Sequence, residues 1–198
     1  MNKALPERTH ARLKCYDYAT PGVYFITICA LDRKCVFSKI VTDENEQVAN
    51  DYTEFGKIAE RNLLALGQRF ANLGVDKYVI MPNHIHVLFV LTDCTSEAAG
   101  AVPGRNYKLL PALATNSPPD YSLNASRPRP TISDIVCVFK SLTTKECRKI
   151  CPTAKLFQTS FYDHIVRTEL DYADVVRYIE NNPLAWQLDE LYEKRGGV

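Results

Sequence analysis

The chain has 198 residues, of which 46% are hydrophobic, and a formal net charge of +1. This length and composition suffice for one domain with a buried core. No apolar run approaches the roughly 18 residues of a membrane-spanning helix. The opening stretch, MNKALPERTHARLK, lacks the apolar core of a signal peptide. We therefore expect a cytoplasmic protein with no membrane partner.

The small net charge conceals blocks of opposite sign. Residues 1–40 carry seven Lys or Arg against three Asp or Glu (+4), and residues 101–167 carry ten against four (+6). The blocks 41–100 and 168–198 are acidic. Because phosphate binding depends on local rather than total charge, the two basic blocks are compatible with a nucleic-acid partner.

Seven cysteines are present without any CxxC pair, which is typical of reduced thiols. Cys147 and Cys151 are one helical turn apart, but no second pair with zinc-ligand spacing accompanies them. A structural zinc ion is therefore the less favoured interpretation.

The pattern of apolar residues predicts seven elements in the order strand, helix, strand, strand, helix, strand, helix. Gly74 is expected to stop the first helix, Pro82-Asn83 to form a turn, and Asp171 to cap the last helix, which Pro183 ends. A Pro- and Ser-rich stretch at 92–130 is interpreted as a loop insertion. The predicted elements are 22–30, 51–71, 75–81, 84–91, 131–151, 156–166 and 171–182.

This order predicts an α+β fold: a ferredoxin-like antiparallel sheet with helices on one face and an additional C-terminal helix. The whole chain, 1–198, is expected to form one domain. A fold of this kind serves many functions, so function has to be argued from particular residues.

His84 and His86 lie two residues apart within a predicted strand. Alternate side chains of a strand point to the same face, so the two imidazoles are expected to project together. Such a pair can bind one metal ion, although two histidines can equally fill a polar sheet face or contact a ligand directly.

Tyr178 and Asn182 lie four residues apart in the last predicted helix, so they share a face. The amide oxygen of Asn182 is a ligand suited to Mg²⁺ or Mn²⁺. Taken alone, Tyr178 is also compatible with an ordinary tyrosine at the edge of the core.

The stretch MPNHIHVLF followed by YIENNP resembles the single-tyrosine HUH transposases of insertion sequences, and most closely the REP-associated tyrosine transposases. GVYFITICALDRKCVF, ISDIVCVFKSLTTKECRK and FQTSFYDHIVR extend the similarity over most of the chain outside 92–130. The resemblance implies that Tyr178 is the nucleophile, that His84 and His86 bind the metal, and that Asn182 completes its coordination. Asn181, off that helix face, ranks lower.

The resemblance further implies a DNA transposase or endonuclease that cuts and rejoins single-stranded DNA near hairpins. The expected intermediate is a 5′-phosphotyrosine, and the cofactor is a divalent metal, Mg²⁺ or Mn²⁺. The enzyme would act as a monomer or a homodimer. A domesticated transposase that processes chromosomal repeat hairpins would carry the same residues and stays an open alternative.

Tyr162 is a rival nucleophile because it precedes Asp163 and His164. His164 is either a DNA contact or a structural histidine at a sheet edge. Four cations on or near the 131–151 helix are candidates for contacts to the DNA backbone, or else form a solvated helix face. They are Lys140, Lys145, Arg148 and Lys149.

A non-catalytic module that binds single-stranded nucleic acid is the alternative from another functional class. Ferredoxin-like sheets bind bases by stacking, and Tyr24 and Phe25 are available for this purpose. No aromatic pattern of the RNA-recognition type is present. A pure binding module would not need the histidine pair together with Tyr178 and Asn182, so the enzyme is favoured.

Overall fold

The computed structural model describes residues 16–42, 48–93, 129–189 and 191–192. Nearly all of the insertion predicted at 92–130 lies outside these residues, as do Cys15 and Cys94. The strands are β1 (Gly22–Cys29), β2 (Ser38–Thr42), β3 (Val48–Tyr52), β4 (Leu73–Ile80), β5 (His84–Leu91) and β6 (Tyr162–Val166). The helices are α1 (Glu54–Leu64), α2 (Leu66–Arg69), α3 (Ile132–Cys147) and α4 (Glu169–Asn181), with 3₁₀ turns at Leu31–Arg33 and Trp186–Leu188.

Four strands form one sheet in the order β4-β5-β1-β6, and every neighbouring pair is antiparallel. This is the strand order of a ferredoxin-like fold, so the predicted fold class is confirmed. The remaining strands, β2 and β3, pair with each other in a separate hairpin. None of the described helices is both long and apolar enough to cross a bilayer.

The two faces of the sheet are covered differently. On one face, side chains of β1 and β5 pack against α1 and α3 in the larger core, which includes Ile26, Val87 and Phe139. On the other face, α4 packs Val175 and Ile179 into a smaller core. That core also contains Val23, Val79, Met81, Leu88, Val90 and Val166. Alternate residues of each strand therefore serve separate layers.

Several predicted boundaries differ from the structure. The first helix begins after Thr53, whose side chain accepts a hydrogen bond from the Gly56 amide, and it breaks at Ala65. Gly74 lies inside β4 instead of stopping that helix. The cap of α4 is Thr168 and not Asp171, because the Asp171 amide itself donates to the Thr168 hydroxyl.

The second predicted helix, 131–151, ends at Cys147, earlier than expected, and the extended stretch 156–166 is a strand only over its last residues. Before that strand, Phe157 makes an isolated bridge with Ala30. The β2–β3 hairpin was not predicted. Apolar and polar residues do not alternate clearly enough along its two strands to predict a strand pair.

Gly56, in the first turn of α1, lies against the backbone of Phe37, the residue before β2. A Cβ atom at this position would overlap the carbonyl oxygen of Phe37, which also accepts a hydrogen bond from the Thr53 amide. We expect Gly56→Ala to lower the free energy of unfolding by about 2 kcal/mol, since overpacking against backbone outweighs the roughly 1 kcal/mol that alanine gains in a helix. Urea denaturation measures this.

Gly22→Ala is the matched control, because its added Cβ would meet only the Tyr24 ring at 3.7 Å, an ordinary contact. Equal unfolding midpoints for the two variants would contradict the close approach at Gly56.

Candidate metal and nucleophile site

The pairing of β1 with β5 places both histidines on the α4 face of the sheet. In this register Thr27 is opposite His86 and Cys29 is opposite His84. Both imidazoles are almost completely buried, with 0% and 2% exposure, and their ring centroids are 4.4 Å apart. The structure thus brings the two predicted ligands together on one face.

Each histidine is held through its Nδ1 atom. The Thr27 hydroxyl lies 2.8 Å from Nδ1 of His86, and Oδ1 of Asn83 lies 2.8 Å from Nδ1 of His84. The Asn83 amide nitrogen donates to the Leu191 carbonyl at 2.8 Å, so Oδ1 can only accept. Nδ1 of His84 therefore carries the proton, and its Nε2 presents a lone pair.

Burial keeps both imidazoles neutral. It lowers the pKa of His84 to about 3, and the nearby Arg33 charge acts in the same direction. Burial, together with the neighbouring His84, also holds the pKa of His86 well below its usual value, although Asp189 opposes this shift. Neutral imidazoles are the form that binds metal ions.

Tyr178 projects from α4 to the edge of the histidine pair. Its hydroxyl lies 3.4 Å from Nε2 of His86 and donates to Oδ2 of Asp189 at 3.4 Å. The ring is 46% exposed and stands edge-on to Phe25, which stacks on His86. The phenol oxygen is therefore reachable from solvent while its other side contacts the buried histidine.

Asp189 is a functional candidate that sequence reasoning missed. Its side chain is 3% exposed, and Oδ2 lies 4.0 Å from Nε2 of His84. The same oxygen accepts a hydrogen bond from the Asn182 amide nitrogen at 3.1 Å. Among the described residues, His84, His86 and Asp189 form the only cluster of three or more potential His, Cys or carboxylate ligands.

The cysteines that the structure describes do not form such a cluster. Cys147 and Cys151 are both free thiols, and Cys147 is buried. Burial raises the pKa of Cys147 to about 11, so in the structure as described it stays a thiol at neutral pH.

Two buried polar atoms of the site have no hydrogen-bond partner in the described structure. They are Nε2 of His84 and Oδ1 of Asn182. Both are acceptors, and the Asp189 carboxylate near them is a third. Nε2 of His84 and Oδ1 of Asn182 receive no hydrogen bond, and a cation held between them and the carboxylate would offset the cost of burying them unpaired. This donor set fits a divalent metal ion.

A solvent-accessible cleft of about 580 Å³ lies beside Tyr178. One wall is the exposed side of α4, and the other is the chain that follows the helix. The lining residues are Asp174, Arg177, Tyr178, Asn181, Asn182, Ala185, Leu188 and Asp189. The cleft leaves Tyr178 open to a ligand from solvent.

The other candidate residues lie away from this cluster. The Lys140 ammonium donates to the carbonyls of Gln158 and Ser160, so it is engaged within the protein. His164 lies on β6 and contacts both carboxylate oxygens of Asp171 at 2.9 Å.

Lys145 and Arg148 line a second groove of about 840 Å³ beside α3, and Lys149 is exposed. Tyr162 is 54% exposed on β6, and Tyr24 is buried, which excludes Tyr24 as an open stacking surface.

Comparison with solved structures defines the class of fold. A REP-associated tyrosine transposase bound to a REP hairpin matches 90% of this chain and 76% of its own, with a TM-score of 0.52 and 14% identity. A putative transposase from Deinococcus radiodurans R1 matches 86% of this chain and 95% of its own, with a TM-score of 0.42 and 16% identity. The first of these matches shows that the fold is that of the REP-associated tyrosine transposase, as the sequence resemblance implied.

A protein of Haemophilus influenzae, described as uncharacterized, is 32% identical over 191 residues, which is 96% of each chain. The chain belongs to the same family as this Haemophilus influenzae protein. No family model matches the sequence.

Asn83 links the histidine pair to the segment that carries Trp186, Asp189 and Leu191. Asn83→Ala removes the acceptor for His84 and the donor to the Leu191 carbonyl. A buried polar group without its partner costs about 1–3 kcal/mol, so this segment should detach locally before the sheet unfolds. We expect faster amide hydrogen exchange around Trp186 and Leu191, with β1 and β5 still protected.

Asn181→Ala, on the exposed side of α4, is the matched control and should leave the exchange pattern unchanged. Unaltered exchange around Leu191 in Asn83→Ala would show that Asn83 does not hold this segment.

Proposed function

We propose that this protein is a metal-dependent transposase or endonuclease that cuts and rejoins single-stranded DNA through Tyr178. The observation that carries the proposal is the position of the Tyr178 hydroxyl. It lies 3.4 Å from both His86 and Asp189, at the open edge of a buried cluster of unprotonated acceptors. An exposed tyrosine beside a cation site is the arrangement needed for attack on a phosphodiester.

His84, His86 and Asp189 are the proposed metal ligands, and the unpartnered amide oxygen of Asn182 is available as a fourth. Two nitrogens with carboxylate and amide oxygens suit a divalent ion such as Mn²⁺ or Mg²⁺. When bound, the ion polarises the scissile phosphate and offsets charge that develops on its oxygens. Asn83 and Thr27 orient the two imidazoles for this purpose.

Tyr178 performs the covalent step. Its hydroxyl oxygen forms a bond to phosphorus while the bond to the 3′ oxygen breaks, which gives a 5′-phosphotyrosine and a free 3′-hydroxyl. The phenol proton passes to water at the exposed side of the ring, because the Asp189 oxygen that accepts the Tyr178 hydrogen bond is also the proposed metal ligand. A free tyrosine has a pKa near 10, so the nearby cation is needed for attack at neutral pH. A second 3′-hydroxyl reverses the reaction and joins a new end.

Single-stranded DNA next to a hairpin is the proposed substrate. The transposase with which this chain shares its fold is bound to a REP hairpin. In-line attack needs a backbone that can bend into the cleft, which an unpaired strand provides. Lys145, Arg148 and Lys149 are proposed contacts to phosphates. His164 is a weaker candidate because Asp171 places a carboxylate against its ring.

Metal binding should depend on Asp189. Asp189→Asn keeps the shape of the side chain but loses its charge, so we expect Mn²⁺ affinity to fall by at least about tenfold. Calorimetric titration and the metal-dependent rise in melting temperature measure this. Without metal the variant should be somewhat less stable than the wild type, because an amide nitrogen in place of Oδ2 no longer accepts the hydrogen bonds from Asn182 and Tyr178.

Asp174→Asn, on the cleft rim outside the cluster, is the control and should bind Mn²⁺ like the wild type. Unchanged affinity in Asp189→Asn would remove Asp189 from the ligand set, and no binding by the wild type would remove the metal site.

Covalent chemistry should depend on the Tyr178 hydroxyl. We expect wild-type protein, incubated with Mn²⁺ and hairpin oligonucleotides carrying randomised single-stranded flanks, to give an adduct that survives denaturing electrophoresis. Tyr178→Phe should form none and keep its stability and DNA binding, since phosphate contacts lie elsewhere. Tyr16→Phe controls for the loss of a hydroxyl far from the site. An adduct that persists in Tyr178→Phe but disappears in Tyr162→Phe would transfer the role to Tyr162.

A further inference from the structure

The edge strand β6 extends the catalytic face of the sheet beyond the metal cluster. Tyr162 pairs with Thr27, and His164 pairs with Phe25. Residues directly opposite in antiparallel strands project to the same face. Since Thr27 contacts His86, the side chains of Tyr162 and His164 lie on the face of the histidine pair, and not on the α3 side.

Tyr162 is a large aromatic side chain presented to solvent from a fixed backbone. Its neighbour Phe161 is 7% exposed and belongs to the core on the α3 side. The Lys140 ammonium lies 5.7 Å above the Phe161 ring and donates to the carbonyls of Gln158 and Ser160, which lead into β6. The strand is therefore held at its start, and alternation directs the Tyr162 ring outwards, where 54% of the residue is exposed.

An aromatic path joins Tyr162 to the nucleophile. The Phe25 ring stacks on the His86 ring, with 5.1 Å between the ring centroids. It meets the Tyr178 ring edge-on, with 5.9 Å between the centroids. Phe25 and Tyr162 are diagonal neighbours on adjacent strands, and the Cα atoms of such neighbours are about 7–8 Å apart. Tyr162 is two strand spacings, about 10 Å, from His86. Within the described part of the chain, no ring stacks on Tyr162 and no group hydrogen-bonds to its hydroxyl.

We propose that Tyr162 is a stacking platform for an unpaired base of the DNA strand whose backbone reaches Tyr178. The inference rests on the proposed function and adds a positioning residue to it. Every base has a flat π-face that an exposed tyrosine ring can cover, so the contact tolerates any sequence. Paired bases are already covered by their neighbours, so this platform selects a single strand. Because the Phe25 ring lies between Tyr162 and Tyr178 on the same face of the sheet, we expect the stacked base to belong to a nucleotide next to the cut.

The test separates binding to bases from binding to backbone. Fluorescence anisotropy compares oligo(dT) with an abasic oligomer of equal length, in the absence of cleavage. We expect Tyr162→Ala to bind oligo(dT) about tenfold more weakly than the wild type and the abasic oligomer equally well. Tyr162→Phe, which keeps the ring, should retain affinity for oligo(dT). Leu64→Ala, which truncates an exposed side chain of α1 on the other face, is the control.

Photocross-linking gives a second readout. An oligonucleotide containing 5-bromouracil should link to the peptide that contains Tyr162 in the wild type, and the link should be lost in Tyr162→Ala. Equal affinity of Tyr162→Ala and wild type for oligo(dT), or loss of affinity in Tyr162→Phe as well, would overturn the stacking role. Adduct formation through Tyr178 is measured separately, so failure of the platform is distinguishable from failure of the proposed function.

Discussion

Two hydrogen bonds to histidine Nδ1 atoms determine how the candidate site is built. Thr27 holds His86 across the β1–β5 pairing, and Asn83 holds His84 from the turn between β4 and β5. Because the Asn83 amide nitrogen also donates to the Leu191 carbonyl, the side chain that sets the tautomer of His84 also positions the chain carrying Asp189. The candidate ligand nitrogen and the carboxylate near it thus depend on one amide side chain. Loss of either bond would leave buried polar groups unpaired.

The division of the sheet into two layers explains how the protein tolerates such a site. The larger core on the α1 and α3 side contains the four biggest buried side chains, Tyr24, Phe37, Phe89 and Phe139. The smaller core needs only to hold α4 in register. Nε2 of His84 and Oδ1 of Asn182, two buried acceptors without donors, lie at one end of this second layer. Stability and chemistry are therefore carried by opposite faces of the same strands.

The sequence predicts the parts of the site that follow from local periodicity. Alternation along β5 places His84 and His86 together, and helical spacing places Asn182 one turn beyond Tyr178. Asp189 could not be found this way. It follows Pro183 in irregular chain, and its approach to His84 depends on the turn at Trp186–Leu188 and on the Asn83 contact with Leu191. The cap of α4 was misassigned because Thr168 and Asp171 are both good capping residues, and only the fold shows that Asp171 contacts His164.

Lys140 shows why counts of basic residues overstate a nucleic-acid surface. Its ammonium is surrounded by the carbonyls of Gln158, Thr159 and Ser160, much as a cation is held in a crown ether. Three donors that diverge from one nitrogen match three converging carbonyls, whereas the planar fork of an arginine does not. Position 140 should therefore accept lysine and resist arginine among related sequences, while position 145 in the groove can exchange the two. The pattern of Lys and Arg exchange among relatives thus distinguishes a cation that organises a loop from one that faces phosphate.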